Sequence, residues 1–481
     1  CIPLGRDLSI HLFVIMKAFE IPTSLKQLIS PNQAFHYRIV PVEKNKDVVV
    51  LKTDTLDINA LSQELSIVLN FPITLISETT ERLGNYLTYN YRQATEHTKE
   101  ISKTQFLEQL LQTAKDFNSS DIHLEPYEKQ ARVRFRLDGK LKEQYTIPLI
   151  EYPQLVNKIK IEAGLDISQK RLSQDGRITV KSESDDFDIR VSTMPTLYGE
   201  KVVLRILKRN ADTVKLKELG FNERELKLYL EGVRKPNGIV LISGPTGSGK
   251  TTTLYGTLKL LNKEETNIVT IEDPIEYTLD GINQVQLKED IGFDFPTALR
   301  TFLRQDPDII MVGEIRDDKT ANMAIKAALT GHLVLSTIHT NSAWATISRL
   351  IDMGVPPYLL ASTLNVSVAQ RLVRKLCNHC KKEEMTSEDL FPENFSERKE
   401  IKTHWRPVGC HKCYFTGYDG RKAIYEIIPI DSSLETSIKH NELQIDDYLA
   451  THKLNTLKSN AILLVQLGET SIDEVYSLLA N

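Results

Sequence analysis

Residues 244–251 read Gly-Pro-Thr-Gly-Ser-Gly-Lys-Thr and follow directly on the apolar run Gly238-Ile-Val-Leu-Ile-Ser243. A Gly-x4-Gly-Lys-Thr sequence placed between a buried strand and a helix constrains the fold around it more than any other feature of the chain. Its glycines permit the tight turn in which successive backbone N–H groups converge on phosphate oxygens. Thr252-Thr-Leu-Tyr255 continues as a helix former, whose positive N-terminal end meets the same anion. Lys250 then reaches the β- and γ-phosphates, and the Thr251 hydroxyl is placed to ligate Mg²⁺. Gly244, Pro245, Thr246, Gly247, Ser248, Gly249, Lys250, Thr251 and Thr252 are the candidate ATP-binding residues.

Three further strand-like runs end in polar residues. Ile268-Val-Thr-Ile-Glu-Asp-Pro-Ile-Glu-Tyr277 delivers carboxylates to the edge of a parallel sheet, where ligands of such sheets bind. Glu272 is the candidate for orienting the attacking water, and Asp273 and Glu276 for ordering the metal's water shell. Asp308-Ile-Ile-Met-Val-Gly-Glu-Ile-Arg-Asp317 is a buried strand ending in an acid, which suits Glu314 to holding Mg²⁺ through water. Gly331-His-Leu-Val-Leu-Ser-Thr-Ile-His-Thr-Asn341 is bracketed by His332 and His339, candidate sensors of the γ-phosphate. Charge on a transferred phosphoryl group is best met by guanidinium. The candidates are Arg300 and Arg304, one helical turn apart, and Arg177 and Arg190 in an earlier segment.

Alternation of these strands with helical patterns predicts a multidomain α/β chain with a RecA-like, helix-covered parallel sheet. At 481 residues the chain is too long for one core. Six segments are expected. Residues 1–95 form a small N-terminal α/β adaptor module; an ordinary-looking start at Met16 suggests either that 1–15 are untranslated upstream sequence or that the chain is a fragment. Residues 96–208 form an α+β domain, where Ala131-Arg-Val-Arg-Phe-Arg-Leu-Asp138 alternates as a strand with an arginine-rich solvated face. Residues 209–222 read as a connection, 223–370 as the ATPase core, 371–430 as a metal-binding subdomain and 431–481 as C-terminal helices.

The metal reading rests on cysteine. Four of the five cysteines fall in two pairs, Cys377-Asn-His-Cys380 and Cys410-His-Lys-Cys413. Two such knuckles complete a tetrahedral Zn²⁺ site that is structural, having no open position. His379 and His411 are alternative ligands, and free or redox-active thiols the alternative chemistry. A net charge of −4 and a pI near 6.3 give no footprint for direct nucleic-acid binding. No apolar stretch approaches the ~20 residues of a membrane span, and no signal peptide is evident, so a cytoplasmic location is expected.

Taken together, these residues resemble the secretion ATPases of type II secretion and type IV pilus-assembly systems over about residues 104–430. The resemblance is carried by Ser120-Asp-Ile-His-Leu-Glu-Pro126, Arg134-Phe-Arg-Leu-Asp-Gly139, Gln174-Asp-Gly-Arg177 and Asp188-Ile-Arg-Val-Ser192. Gly199-Glu-Lys-Val-Val-Leu-Arg205, the phosphate loop, the 272–276 acidic box, Arg304-Gln-Asp-Pro-Asp308, Gly313-Glu-Ile-Arg316 and Gly417-Tyr-Asp-Gly-Arg421 belong to the same pattern. It implies a homo-hexameric motor, peripheral at the cytoplasmic face of the bacterial inner membrane. Its partners would be an inner-membrane platform protein and a membrane adaptor with a cytoplasmic domain. In such motors the second domain supplies arginines to the nucleotide pocket, which supports Arg177 and Arg190, and ATP hydrolysis drives assembly of pilin-like subunits. Retraction ATPases generally lack the four-cysteine segment, so its presence favours extension or secretion. A DNA-uptake (competence) or conjugation motor is the alternative.

Overall fold

The computed structural model describes residues 19, 21–45, 48–69, 71–91, 106–180, 187–208, 215–395, 398, 401–413, 416–442 and 444–480. The expected translation start at Met16, the linker beyond Tyr91 and residues 209–214 of the expected connection lie outside them. The chain divides into two compact units. The first runs to Leu207 and takes in Val408–Gly417; the second comprises the remainder.

The first unit contains two sheets. Strands β1 (Ile39–Asn45), β2 (Val48–Thr53) and β3 (Ile73–Ser77) form a small sheet in that order, with β1 antiparallel and β3 parallel to β2. The helix Ile58–Val68 makes the crossover that a parallel β2–β3 pair requires, and Asp57 caps its N-terminus through the Ala60 N–H. Ile39, Leu51, Leu65 and Leu83 are buried between this sheet and its helices.

The second sheet holds β4 (Asp121–Pro126), β5 (Gln130–Leu137), β6 (Lys140–Pro148), β7 (Gln174–Val180), β8 (Phe187–Thr196) and β9 (Gly199–Lys208), in the order β6-β5-β4-β9-β8-β7. Ala131, Val133 and Phe135 of β5 are buried, while Arg132, Arg134 and Arg136 alternate with them on the other face. That face is not simply solvated, as the alternation alone suggested. Glu125 on the neighbouring β4 is buried and bonds Arg134 at 2.8 Å, Arg132 at 3.1 Å and Lys201 at 3.1 Å. Asp121 takes Arg136 at 3.1 Å and Arg205 at 3.0 Å. Burial alone raises the Glu125 carboxyl, but hydrogen bonds from Arg134, Lys201 and Arg132 outweigh it and hold the group down at about 2.

The second unit is built on β10 (Gly238–Ser243), β11 (Ile268–Glu272), β12 (Asn283–Gln286), β13 (Ile309–Val312), β14 (Leu333–Ile338), β15 (Leu364–Leu376), the short hairpin β16 (Lys382–Met385) and β17 (Thr403–Arg406), and β18 (Tyr418–Pro429). The main sheet has the order β12-β11-β13-β14-β10-β15-β18 and is parallel except for β18, which runs antiparallel to β15. Its central strands are buried on both faces, which is why they read as unbroken apolar runs. Along β10, Val240 and Ile242 pack with Leu254, Tyr255 and Leu258 of the helix Lys250–Leu261. Ile239 and Leu241 point the other way, into the core shared with the helices Phe295–Phe302, Asp318–Leu329, Ala345–Asp352 and Pro357–Thr363.

Two sequence boundaries shift. The residues following 370 do not leave the core: β15 and β18 are a long antiparallel ribbon of the main sheet, and the cysteine segment is inserted between them. Residues 215–222 are packed rather than a free connection. Leu216 is buried in the core, and Phe221 stacks on Tyr425 with ring centroids 3.7 Å apart. The C-terminal helices close the core through Leu434, Leu457, Leu464 and Val475. Among the described residues no helix is long and apolar enough to cross a membrane.

Candidate active site

Because β10 to β15 are parallel, the loops that follow them gather on one edge of the sheet. Gly247 and Gly249 have φ values of +80° and +88°, which only glycine adopts without strain, and Gly249 starts the helix Lys250–Leu261. At Gly244 the loop passes so close to β15 that an added Cβ would lie 2.5 Å from the Gln370 carbonyl oxygen and 2.7 Å from Ser248 Oγ. Thr246, Gly247 and Thr251 are exposed, while Ser248 and Lys250 are buried. Ser248 Oγ has no hydrogen-bond partner among the described residues, so the loop contains a buried donor still to be satisfied.

The Lys250 ammonium donates to the carbonyls of Gly244 at 2.8 Å and Pro245 at 3.1 Å. Burial pulls its pKa below the ordinary lysine value, against the attraction of Glu314. Gln370 braces the loop from β15: its Nε2 donates to the Ser248 carbonyl, and its Oε1 accepts from the Thr253 hydroxyl, both at 2.9 Å.

Glu272 ends β11 and is 3% exposed. Oε1 accepts from Thr270 at 2.6 Å and from Gln284 at 3.1 Å, and Oε2 accepts from the Tyr255 hydroxyl. The same hydroxyl accepts the Glu276 backbone N–H at 3.3 Å. Burial pushes the Glu272 carboxyl above the usual carboxylate range, against these three donors. Glu314, in the loop after β13, bonds Arg316 at 2.5 Å and lies 3.4 Å from His339 Nε2, with Asp273 4.0 Å from Arg316. The site is thus a glycine-rich anion cradle with a lysine, two acidic loops and a histidine on one sheet edge. This is the furniture of phosphoryl transfer.

The family model described as "Type II/IV secretion system protein" matches residues 96–477. The chain belongs to that family. The type IV pilus assembly ATPase PilB of Pseudomonas aeruginosa is 48% identical over 77% of this chain and 66% of its own length. The type II secretion system protein E of Aeromonas hydrophila is 45% identical over 74% of this chain and 72% of its own. A solved structure of the pilus retraction motor PilT with bound ADP superposes with a TM-score of 0.53 at 26% identity, over 79% of this chain and 97% of that one. The ATPase DotB of Legionella pneumophila shares the fold, with a TM-score of 0.60 at 21% identity over 80% of this chain and 97% of that one. The chain spans 64–66% of the length of the first pilus-assembly relatives it matches.

Not every residue expected at the site of this family member lies there. His332 precedes β14, whose first residue pairs with Gly238 at the start of β10, and its carbonyl accepts the Gly238 N–H. It is therefore a strand length, about 20 Å, from the phosphate loop. Its ring Nδ1 lies 2.9 Å from the Ala327 carbonyl oxygen. Arg300 and Arg304 are displaced for the same reason. They lie at the end of a helix that leads into the start of β13, and Asn267 holds the carbonyls of Gln305 and Asp306 at that edge. The two arginines bond locally, to Thr297 and to the Arg300 carbonyl. Arg177 and Arg190 face each other in register on β7 and β8, with Arg177 paired to the buried Asp188 at 2.6 Å. Gln370 and Arg371 were missed, since Ser367-Val-Ala-Gln-Arg-Leu372 carries no motif, and only the β10–β15 register brings them beside the loop.

The four sulfur atoms of Cys377, Cys380, Cys410 and Cys413 lie within 4.8 Å of one another. Each pair forms a tight turn, with the Cys380 N–H on the Cys377 carbonyl and the Cys413 N–H on the Cys410 carbonyl. Cys413 Sγ accepts the N–H groups of Cys410 at 3.2 Å and Gly417 at 3.3 Å, the backbone support that stabilises a thiolate. This donor set fits a closed tetrahedral metal; His379 is not a member of the cluster, and the alternative ligand His411 lies outside the described side chains.

Proposed function

We propose that the chain is the subunit of a homo-hexameric, RecA-like ATPase at the cytoplasmic face of a bacterial inner membrane. It hydrolyses ATP to drive assembly of pilin or pseudopilin subunits in type IV pilus extension or type II secretion. The observation that carries this reading is the buried Lys250 ammonium on the loop's own carbonyls, beside the unpartnered Ser248 hydroxyl and within electrostatic reach of Glu314. Residues Gly244–Thr252 bind the phosphates, and Lys250 exchanges its carbonyl partners for phosphate oxygens. The Thr251 hydroxyl, and Glu314 through water, would hold Mg²⁺, which would supply positive charge against the phosphates. Glu272 orients the water, with Asp273 and Glu276 ordering the metal's water shell. His339 senses the γ-phosphate through Glu314, and Arg177 and Arg190 complete the pocket when the domain of residues 96–208 closes on it. Cys377, Cys380, Cys410 and Cys413 hold a structural Zn²⁺. The partners are an inner-membrane platform protein and a membrane adaptor.

Phosphate release by the full chain with MgATP tests this directly. Glu314→Gln should retain ATP binding while losing about 100-fold or more in turnover. A wild-type chain that releases no phosphate, or a Glu314→Gln variant as fast as wild type, overturns it.

A further inference from the structure

The register Ser243↔Ala369 between β10 and β15 sends the next two residues of β15 alongside the phosphate loop. Gln370 is wholly used in bracing that loop. Arg371 is not used in the same way. Its Nη1 donates to the Gln370 carbonyl and its Nη2 to the Asn341 carbonyl, each at 3.0 Å. No carboxylate among the described residues lies within ion-pair distance of it. Its guanidinium therefore has hydrogen bonds but no counter-charge, in a half-buried position where an uncompensated cation is costly. Burial pulls its pKa below the ordinary arginine value, and the attraction of Glu426 opposes this only in part. A second observation marks the same spot. A Cβ placed on Gly244 would lie 3.1 Å from Arg371 Nη1 and 2.7 Å from the oxygen of Ser248, the buried hydroxyl that has no partner among the described residues. An unsatisfied donor and an unpaired guanidinium thus converge on the first glycine of the loop, and Lys250 holds that glycine's carbonyl.

We propose that Arg371 is a ligand for the polyphosphate of the bound nucleotide, supplied to the phosphate loop by β15 of the same chain. The assignment rests on the reading of residues 244–251 as an ATP site. Its chemical logic is charge: the anion brings the partner that the guanidinium lacks, and a planar fork with free N–H groups suits phosphate oxygens. Arg371 is also in register with Ile424 of β18, so a guanidinium drawn onto phosphate acts on the ribbon that carries the cysteine segment.

Calorimetric titration of the full chain with MgATP and with MgADP tests the assignment. Arg371→Gln should weaken at least one of the two by 10-fold or more, and Arg371→Lys, which keeps the charge but loses the fork, by less. The nucleotide-free melting temperature of Arg371→Gln should stay near wild type, because relief of an uncompensated charge offsets the loss of two hydrogen bonds, while the nucleotide-induced rise in melting temperature shrinks. Wild-type affinity for both nucleotides in Arg371→Gln, or in Arg371→Lys should the first variant not fold, overturns the assignment alone. A wild-type chain that binds neither nucleotide overturns the ATP-site reading, and the assignment with it.

Discussion

The Tyr255 hydroxyl donates to the buried Glu272 carboxylate, tying the helix after the phosphate loop to the end of β11. Through the Glu276 N–H, the same oxygen fixes the start of the acidic loop 273–276. A change at the loop's helix is therefore felt by the carboxylate that closes β11. Tyr255→Phe deletes only the hydroxyl and leaves the ring packed edge-on against Tyr277. The lost hydrogen bond favours the ionised carboxylate, so the Glu272 pKa, already raised by burial, should rise further. If the ionised form is needed for turnover, the acid limb of the kcat profile moves to higher pH and kcat at neutral pH falls several-fold. The KM for ATP stays near wild type. A profile unchanged in shape and position would remove Glu272 from proton handling.

The charge cluster on the second sheet makes a prediction about acid stability. Glu125 has a depressed pKa in the folded chain, so its contribution is present above the ordinary carboxylate range and lost as pH falls towards about 2. Glu125→Gln leaves Arg132, Arg134 and Lys201 without their shared partner and should cost about 2 kcal/mol near neutral pH, allowing for their partial exposure to water. Urea unfolding at several pH values checks this. The variant and wild type should converge as pH drops below 4, and a gap that is constant with pH counts against the assignment.

His332 and His339 flank one strand and should behave oppositely. His339→Ala removes a group 3.4 Å from Glu314 and should lower turnover, whereas His332→Ala, at the far edge of the sheet, should leave it within about two-fold. Comparing steady-state rates of the two variants decides which end of β14 carries the chemistry.

For the cysteine cluster, elemental analysis of the full chain should find about one zinc per chain, lost in Cys413→Ser. Chelation should lower the melting temperature while leaving MgATP affinity close to its starting value, because the thiolates brace the insertion between β15 and β18. Full thermal stability in the chelated protein would make the thiols dispensable.

Much of the site was legible because its signals are local. A strand, a glycine-rich turn and a helix are contiguous at 238–261, and acids at 272 and 314 follow apolar runs that are buried on both faces. What sequence could not convey is which end of a strand faces the ligand. His332 and His339 look equivalent along the chain, and only the parallel direction of β14 beside β10 separates them. Arg300 and Arg304 lie towards the start of β13 for the same reason. Gln370 and Arg371 lie more than 115 residues beyond the loop they touch, joined to it by sheet register alone. The sheet–insertion–sheet path from β15 to β18 was hidden because the conspicuous cysteines drew a domain boundary through a continuous ribbon.

Lys250 is the residue proposed to hold the nucleotide's phosphates. Steady-state MgATP hydrolysis by the full chain, wild type against Lys250→Ala, tests that role most directly. The rate in Lys250→Ala should fall by at least about 100-fold, with the fold retained by circular dichroism. Hydrolysis by Lys250→Ala at a rate close to wild type would contradict that role.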